Sequence, residues 1–221
     1  MKQWLLAFIA LAVLAPGAPC LELSGGVRGG AGGSLFYGGW VDRLREELED
    51  LGATTVRDRM YVSWRGGCWV EVLVPDAPIL RVEADVGPVG GSLLASDGCD
   101  LLVGITGIDL ALQVLAVHRF ELPVGEIMIG SGIFVGGALP IREIRNDGVI
   151  RSEGELASVL VRAGLACGAG FALPAGPGAF TVDARVLVGF VSGSSPRLEG
   201  MLNAATFALT AGWEFRPRGS R

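Results

Sequence analysis

Apolar and polar positions alternate along most of this chain. In LRVEADV (80–86), Leu80, Val82, Ala84 and Val86 share one parity, while Arg81, Glu83 and Asp85 take the other. MYVSWRGGCWVEVLV (60–74) sets Val62, Trp64, Cys68, Val70, Val72 and Val74 against Tyr61, Ser63, Arg65, Gly67 and Glu71. FTVDARVLVGF (180–190) carries Asp183 and Arg185 inside an apolar run, again on one parity. A period of two sustained this long predicts strands with two different faces. Eight such segments are predicted, at 21–36, 60–74, 78–88, 108–120, 126–138, 156–172, 179–192 and 202–215.

The connections alternate in length. VPDAP (74–78), ELPVGE (121–126) and LPAGPG (173–178) are rich in Pro, Gly or acidic residues and read as hairpin turns. Between them lie longer links at 37–59, 89–107, 139–155 and 193–201. VDRLREELEDLGA (41–53) has helical spacing, many charges and Gly52 at a plausible C-terminal stop, so it predicts a short, solvated loop helix. An even number of strands, with short turns at one end and long loops at the other, is the pattern of an outer-membrane barrel. In lipid a sheet must close, because an unpaired backbone group costs several kcal/mol. The predicted fold is therefore all-β: an eight-stranded antiparallel up-and-down transmembrane β-barrel with a short helix in its first long loop.

In such a barrel the apolar parity faces lipid and the polar parity faces the lumen. The lumen parity collects Arg28, Arg65, Arg81, Arg119, Arg162 and Arg185, with Glu22, Glu71, Glu83, Asp85, Asp109, Asp183 and Glu214 as the matching acids. Near-balance of sign is what an interior of mutually paired charges requires. Eight strands leave an interior just wide enough for side chains, so these residues are expected to form a structural plug, without an open pore. The chain's thirty-five glycines fit this picture. Gly26, Gly30, Gly32, Gly130, Gly132, Gly164, Gly168 and Gly170 mostly share the lumen parity, where small residues make room for arginines from neighbouring strands.

The formal net charge of −5, with no basic cluster, argues against nucleic acid as a partner. The segment 1–19 has a lysine, an apolar core from Trp4 to Leu14 and then small residues, the layout of a secretory signal peptide, leaving 20–221 as the barrel domain. Cys20, Cys68, Cys99 and Cys167 are widely spaced without a CxxC pair, so they suggest neither a disulfide framework nor a metal knuckle. No cofactor motif is present: GGVRGGAGG (25–33) has glycines but no surrounding βαβ unit.

The last segment, FALTAGWEF (207–215), puts Phe207, Leu209, Ala211, Trp213 and Phe215 on one face. It resembles the terminal aromatic strand by which bacterial outer-membrane barrels are recognised by their assembly machinery, although RPRGSR follows the aromatic here. GGVRGGAGGSLF (25–36), LRVEADVGPVGG (80–91), IDLALQVLAVHRF (108–120), IGSGIFVGGAL (129–139) and FTVDARVLVGFVSG (180–193) occur in an order similar to the PorT-like outer-membrane barrel group, a relative of the OmpA/OmpX-type barrels. The seventh segment keeps Arg185 and Gly189 of that group's pattern, with Val186 where an aromatic would stand. The resemblance implies an outer-membrane location and eight strands, and it implies no single function and no catalytic residue.

The expected function is a non-enzymatic outer-membrane barrel with a structural or surface-interaction role. Its partners would be membrane lipids, the assembly machinery through the last strand, and a surface partner at the 37–59 loop. Two alternatives remain open. A soluble lipocalin-like barrel would reverse the faces, so that Phe180, Val182, Val186 and Val188 line an apolar pocket. A lipid-modifying enzyme would need a nucleophile beside a base, but the only histidine, His118, has the lipid-facing parity, and neither Ser131 nor Ser158 has an evident acid–histidine partner.

Overall fold

A computed structural model describes residues 22–73, 78–96, 101–146, 151–157, 159–192 and 202–216. The expected signal segment, Ser158, the 193–201 link and most of the 74–78 turn lie outside them. The elements in chain order are β1 (Glu22–Tyr37), α1 (Gly39–Asp50), β2 (Thr55–Leu73), β3 (Ile79–Ser96), β4 (Leu101–Leu122), β5 (Gly125–Asn146), β6 (Arg151–Ala157), β7 (Leu160–Ala175), β8 (Gly178–Ser192) and β9 (Asn203–Phe215).

Each strand pairs antiparallel with its neighbours, and β9 returns to β1 in register from Gly25↔Phe215 to Tyr37↔Asn203. β6 and β7 lie end to end along β5, so the ring β1–β2–β3–β4–β5–β7–β8–β9 holds eight staves and has no edge in its wall. The predicted up-and-down barrel is the observed fold.

Parity decides which side each residue takes. On β4, Ile108, Leu110, Leu112 and Val114 point outward and are exposed, while Asp109, Ala111, Gln113 and Leu115 point inward and are buried. The same alternation holds on β8, where Phe180 and Val182 face out and Asp183 and Arg185 face in. Those outward side chains therefore line no internal pocket, contrary to the soluble-barrel alternative. Outward aromatics gather near the turn end, at Phe120, Phe180, Trp213 and Phe215.

Three expectations need correction. The strands are longer than the alternation indicated: β4 and β5 each have 22 residues, against about 9–11 needed to cross a bilayer. Much of the expected 89–107 and 139–155 links is strand, extending the wall beyond the alternating band. Pro88, at the end of the expected 78–88 strand, and Pro140, in the expected 139–155 link, instead sit inside strands at bulges. There the β2–β3 register shifts between Met60 and Gly66, and the β4–β5 register between Thr106 and Ile108. A proline lacks a ladder N–H, so a bulge is where a strand accommodates it.

The third correction concerns α1. It is amphipathic: Val41, Leu44 and Leu48 are buried at the mouth against Phe36, Leu93, Ala95, Val103 and Ile105. Below them Val89, Ala138, Ile141, Leu160, Leu202 and Ala204 continue the same apolar cluster into the barrel. The helix ends where the Gly52 N–H bonds Glu49 O at 2.9 Å and the Ala53 N–H bonds Leu48 O at 3.0 Å, with Gly52 at φ 100°. That double reversal needs a positive φ, which glycine adopts without steric cost. Arg45 donates to Asp58 of β2 at 2.9 and 3.1 Å, tying the helix to the wall. The charges are solvated, but the helix as a whole is a lid with a buried stripe.

Leu48→Asp places a charge in that stripe. It should make 37–59 protease-sensitive, as read by limited proteolysis, while the barrel keeps its gel mobility when unboiled.

Candidate functional site

The chemistry-bearing residues lie in the lumen, and glycine makes the space for them. Arg28 stands opposite Gly67 and Gly212, Asp85 opposite Gly67, Arg65 opposite Gly30, Asp109 opposite Gly87, Arg162 opposite Gly136, Arg185 opposite Gly168 and Asp183 opposite Gly170. A Cβ on Gly168 would meet Cγ of Arg185 at 3.1 Å, and one on Gly212 would meet Cβ of Arg28 at 2.8 Å. In a lumen this narrow, a glycine across the strand pair gives each of these side chains the room that a larger partner would take.

Two charged sets result. The larger fills the half nearer the turns. Arg28 Nη2 donates to Glu83 at 2.9 Å and to both oxygens of Asp85 at 2.7 and 2.8 Å. Glu83 also receives Arg185, and Arg81 Nη1 at 3.4 Å, so three strands meet on one carboxylate. Arg81 Nε bonds Glu71 Oε1 at 2.6 Å, and Ser24 Oγ bonds Glu71 Oε2 at 2.9 Å. Asp183 lies 3.8 Å from Arg185 and 3.9 Å from Arg81, beyond hydrogen-bond range. Trp69, 2% exposed, lies beneath the guanidiniums of Arg81 and Arg28 at 5.4 and 5.9 Å from its ring centre. Gln113 donates to Asp85.

At the turn end this set opens into a vestibule of about 270 Å³ lined by Glu22, Ser24, Glu71, Arg119, Glu121, Glu126, Glu214 and Arg216. Arg119 bridges Glu71, Glu126 at 2.6 Å and Glu214 at 2.9 Å. Arg216 folds back from beyond the last strand to bond Glu126 at 2.6 and 2.8 Å and Glu214 at 3.0 Å. Partial burial lowers the Arg216 pKa, but its hydrogen bonds to Glu126 and Glu214 raise it by more, and it stays charged.

The second set is small. Arg65 and Arg162 both donate to one oxygen, Asp109 Oδ2, at 3.0 and 2.5 Å. It sits at the outer end of the alternating band, beneath the apolar cluster that α1 covers.

The remaining candidates do not converge. His118 points outward, and Ser131 points outward on β5 one register step away, beside Val114, Ala116, Ile129 and Ile133. Cys68 and Cys167 are free thiols on the outer face of different strands. Among the described residues no cluster of three or more His, Cys, Asp or Glu is arranged to hold a metal.

Sequence reasoning overlooked Trp69, Gln113, Ser24, Glu126 and Arg216. Trp69 and Gln113 share the lumen parity with the neighbouring charges, which is a usable signal. In the sequence Glu126 closes the ELPVGE turn and Arg216 follows the last strand, and only closure of the ring brings them together.

No protein-family model matches the chain, and no curated protein sequence does. Solved structures do. The chain is similar to the outer membrane protein OprG from Pseudomonas aeruginosa, at 12% identity and a TM-score of 0.46, over 89% of this chain and 98% of that one. It is similar to Neisserial surface protein A, at 12% identity and a TM-score of 0.42, over 87% of this chain and 97% of that one. It is also similar to Ail, the attachment invasion locus protein of Yersinia pestis, in a complex with the heparin analogue sucrose octasulfate. That match has 12% identity and a TM-score of 0.41, over 88% of this chain and 99% of that one.

Glu83→Gln removes a charge shared by Arg28, Arg81 and Arg185. It should cost about 3–5 kcal/mol, the penalty for stranding buried partners, read as a lower urea midpoint of the barrel folded in detergent. Glu22→Gln, at the wet rim, should change the midpoint by less than about 0.5 kcal/mol.

Proposed function

We propose that the chain is a non-enzymatic outer-membrane β-barrel with a structural or surface-interaction role and a lumen closed by its own side chains. The observation that carries this is the arrangement of the two faces. A belt of large apolar residues points outward on every barrel strand, while the charges are buried and paired within. A water-soluble barrel would present the opposite arrangement. Outer-membrane lipids would cover the belt. The assembly machinery would read the outward row Phe207, Leu209, Ala211, Trp213 and Phe215 of β9. The signal segment 1–19 would provide export, and the turn end would face the periplasm.

The interior charges act as structural filling in this reading. They are distributed over most of the strands and bonded to one another, and the apolar cluster under α1 fills the lumen beyond them. A surface partner would meet α1 and the charged β5–β6 hairpin, where Arg145 pairs with Glu143 and Arg151 with Glu153 beyond the belt. The narrower PorT-like affiliation belongs to the same proposal and rests on the order of the sequence motifs. A lipid-modifying activity has no support in the geometry around His118 and Ser131.

Cell fractionation with a heat-modifiability gel tests the location and the closed fold together. The protein should remain with outer membranes and migrate faster unboiled than boiled; recovery in the soluble periplasm would contradict the proposal. A parity pair tests the lipid face. Leu112→Arg, near the centre of the belt, should destabilise the barrel in lipid by about 2–4 kcal/mol. Glu121→Arg, at the vestibule rim, should fall within about 0.5 kcal/mol of the parent.

A further inference from the structure

The Arg65–Asp109–Arg162 set is unbalanced in a way the larger network is not. Two guanidiniums share one carboxylate oxygen, leaving a formal surplus of one positive charge. Arg65 is 3% exposed, and Arg162 and Asp109 are fully buried. Nε and Nη1 of Arg65, Nε and Nη1 of Arg162, and Oδ1 of Asp109 are all buried without a hydrogen-bond partner among the described residues. Phe134 stacks on Arg162 at 5.7 Å, offering a ring face but no acceptor.

The larger set has the opposite surplus: Arg28, Arg81, Arg119, Arg185 and Arg216 face Glu71, Glu83, Asp85, Glu126, Asp183 and Glu214. That negative charge is spread toward a vestibule open to water. The positive surplus at Arg65 and Arg162 lies deeper, under the apolar cluster of Val89, Ala138, Ile141 and Leu160. No ion pair among the described residues joins the two sets. An uncompensated buried charge costs several kcal/mol, and buried guanidinium N–H donors without a partner call for an acceptor.

We propose that Arg65 and Arg162 together bind one small monovalent anion of the halide class. One negative charge brings the set to neutrality, whereas a dianion would reverse its sign. On each guanidinium Nε and Nη1 lie on different edges, so one free N–H from Arg65 on β2 and one from Arg162 on β7 can meet at a spherical anion, which takes donors without directional demand. Asp109 holds the two guanidiniums side by side and at the same time limits affinity, since its unpaired oxygen repels the anion. Removing either arginine leaves a neutral pair, and removing the carboxylate charge leaves two positive charges.

This difference in direction gives the test. The full chain is refolded in detergent in sodium chloride, sodium bromide or sodium gluconate at equal ionic strength. Folding is confirmed on the unboiled gel, and the melting midpoint is followed as the halide is raised. The parent midpoint should rise with halide relative to gluconate by about 3–5 °C per tenfold halide above saturation, as expected when a ligand binds only the folded state. Arg162→Gln should lose that difference, as should Arg65→Gln if the first variant fails to fold. Asp109→Asn should keep the difference or enlarge it. Bromide-grown crystals should show an anomalous peak between the two guanidiniums. Equal halide response in the parent and Arg162→Gln, or a peak replaced by water alone, would overturn the proposal.

Discussion

A charge enclosed by eight strands must find its opposite across the lumen, because the wall around it is apolar on its outer side and the interior is too narrow for bulk water. Most of this molecule follows from that requirement. Glu83 on β3 is reached by Arg28 from β1, Arg185 from β8 and Arg81 from its own strand, and so ties opposite walls together. The pairing is possible only at one register. A slip of one residue on any strand would turn its charges outward and its valines and leucines inward. Charge pairing and apolar parity thus specify the same arrangement, and the closing β1–β9 ladder is consistent with both.

Glycine is the second half of this arrangement. Cross-strand neighbours in a narrow barrel compete for the same volume, and glycine stands opposite Arg28, Arg65, Asp85, Asp109, Arg162, Asp183 and Arg185. Its cost in backbone entropy is offset by the long side chain it admits. Along the barrel axis the interior changes character. The half near the turns is charged and opens into the vestibule; the half under α1 is apolar and closed. In the proposed reading the strands outrun the thickness of a bilayer, and the apolar half would stand above the membrane as a small core with α1 as its cover.

This two-tier construction explains what could be read in advance. Where the strands have one apolar and one polar side, alternation reported strand, face and approximate bounds, as on β8, expected at 179–192 and observed at Gly178–Ser192. Above the belt the contrast is lost. GGSLLAS on β3 and LVGIT on β4 pack against α1 or against each other, so their pattern is no longer binary, and their glycines read as loop. The stripe Val41, Leu44 and Leu48 was visible in α1, but its charges outnumber it, and nothing local revealed an apolar mouth to receive it. Parity indicates which charges share the lumen; only register and shear decide that Arg185 meets Glu83, or that Arg65 and Arg162 meet on Asp109. Arg216 joined the network through closure of the ring, which places the end of β9 beside Glu126 in a way no spacing along the chain encodes.

The central claim is that one parity faces acyl chains and the other faces a sealed, charged interior. Trp64 and Trp69 lie on the same strand with opposite orientation, the first 56% and the second 2% exposed. Two variants, each retaining one of these as its sole tryptophan, would be folded into vesicles with brominated acyl chains, and their fluorescence compared with that in unbrominated lipid. The account predicts strong quenching of Trp64 and little quenching of Trp69, with neither reached by aqueous iodide. Quenching of Trp64 by iodide but not by brominated chains would contradict it, because the apolar face would then be meeting water.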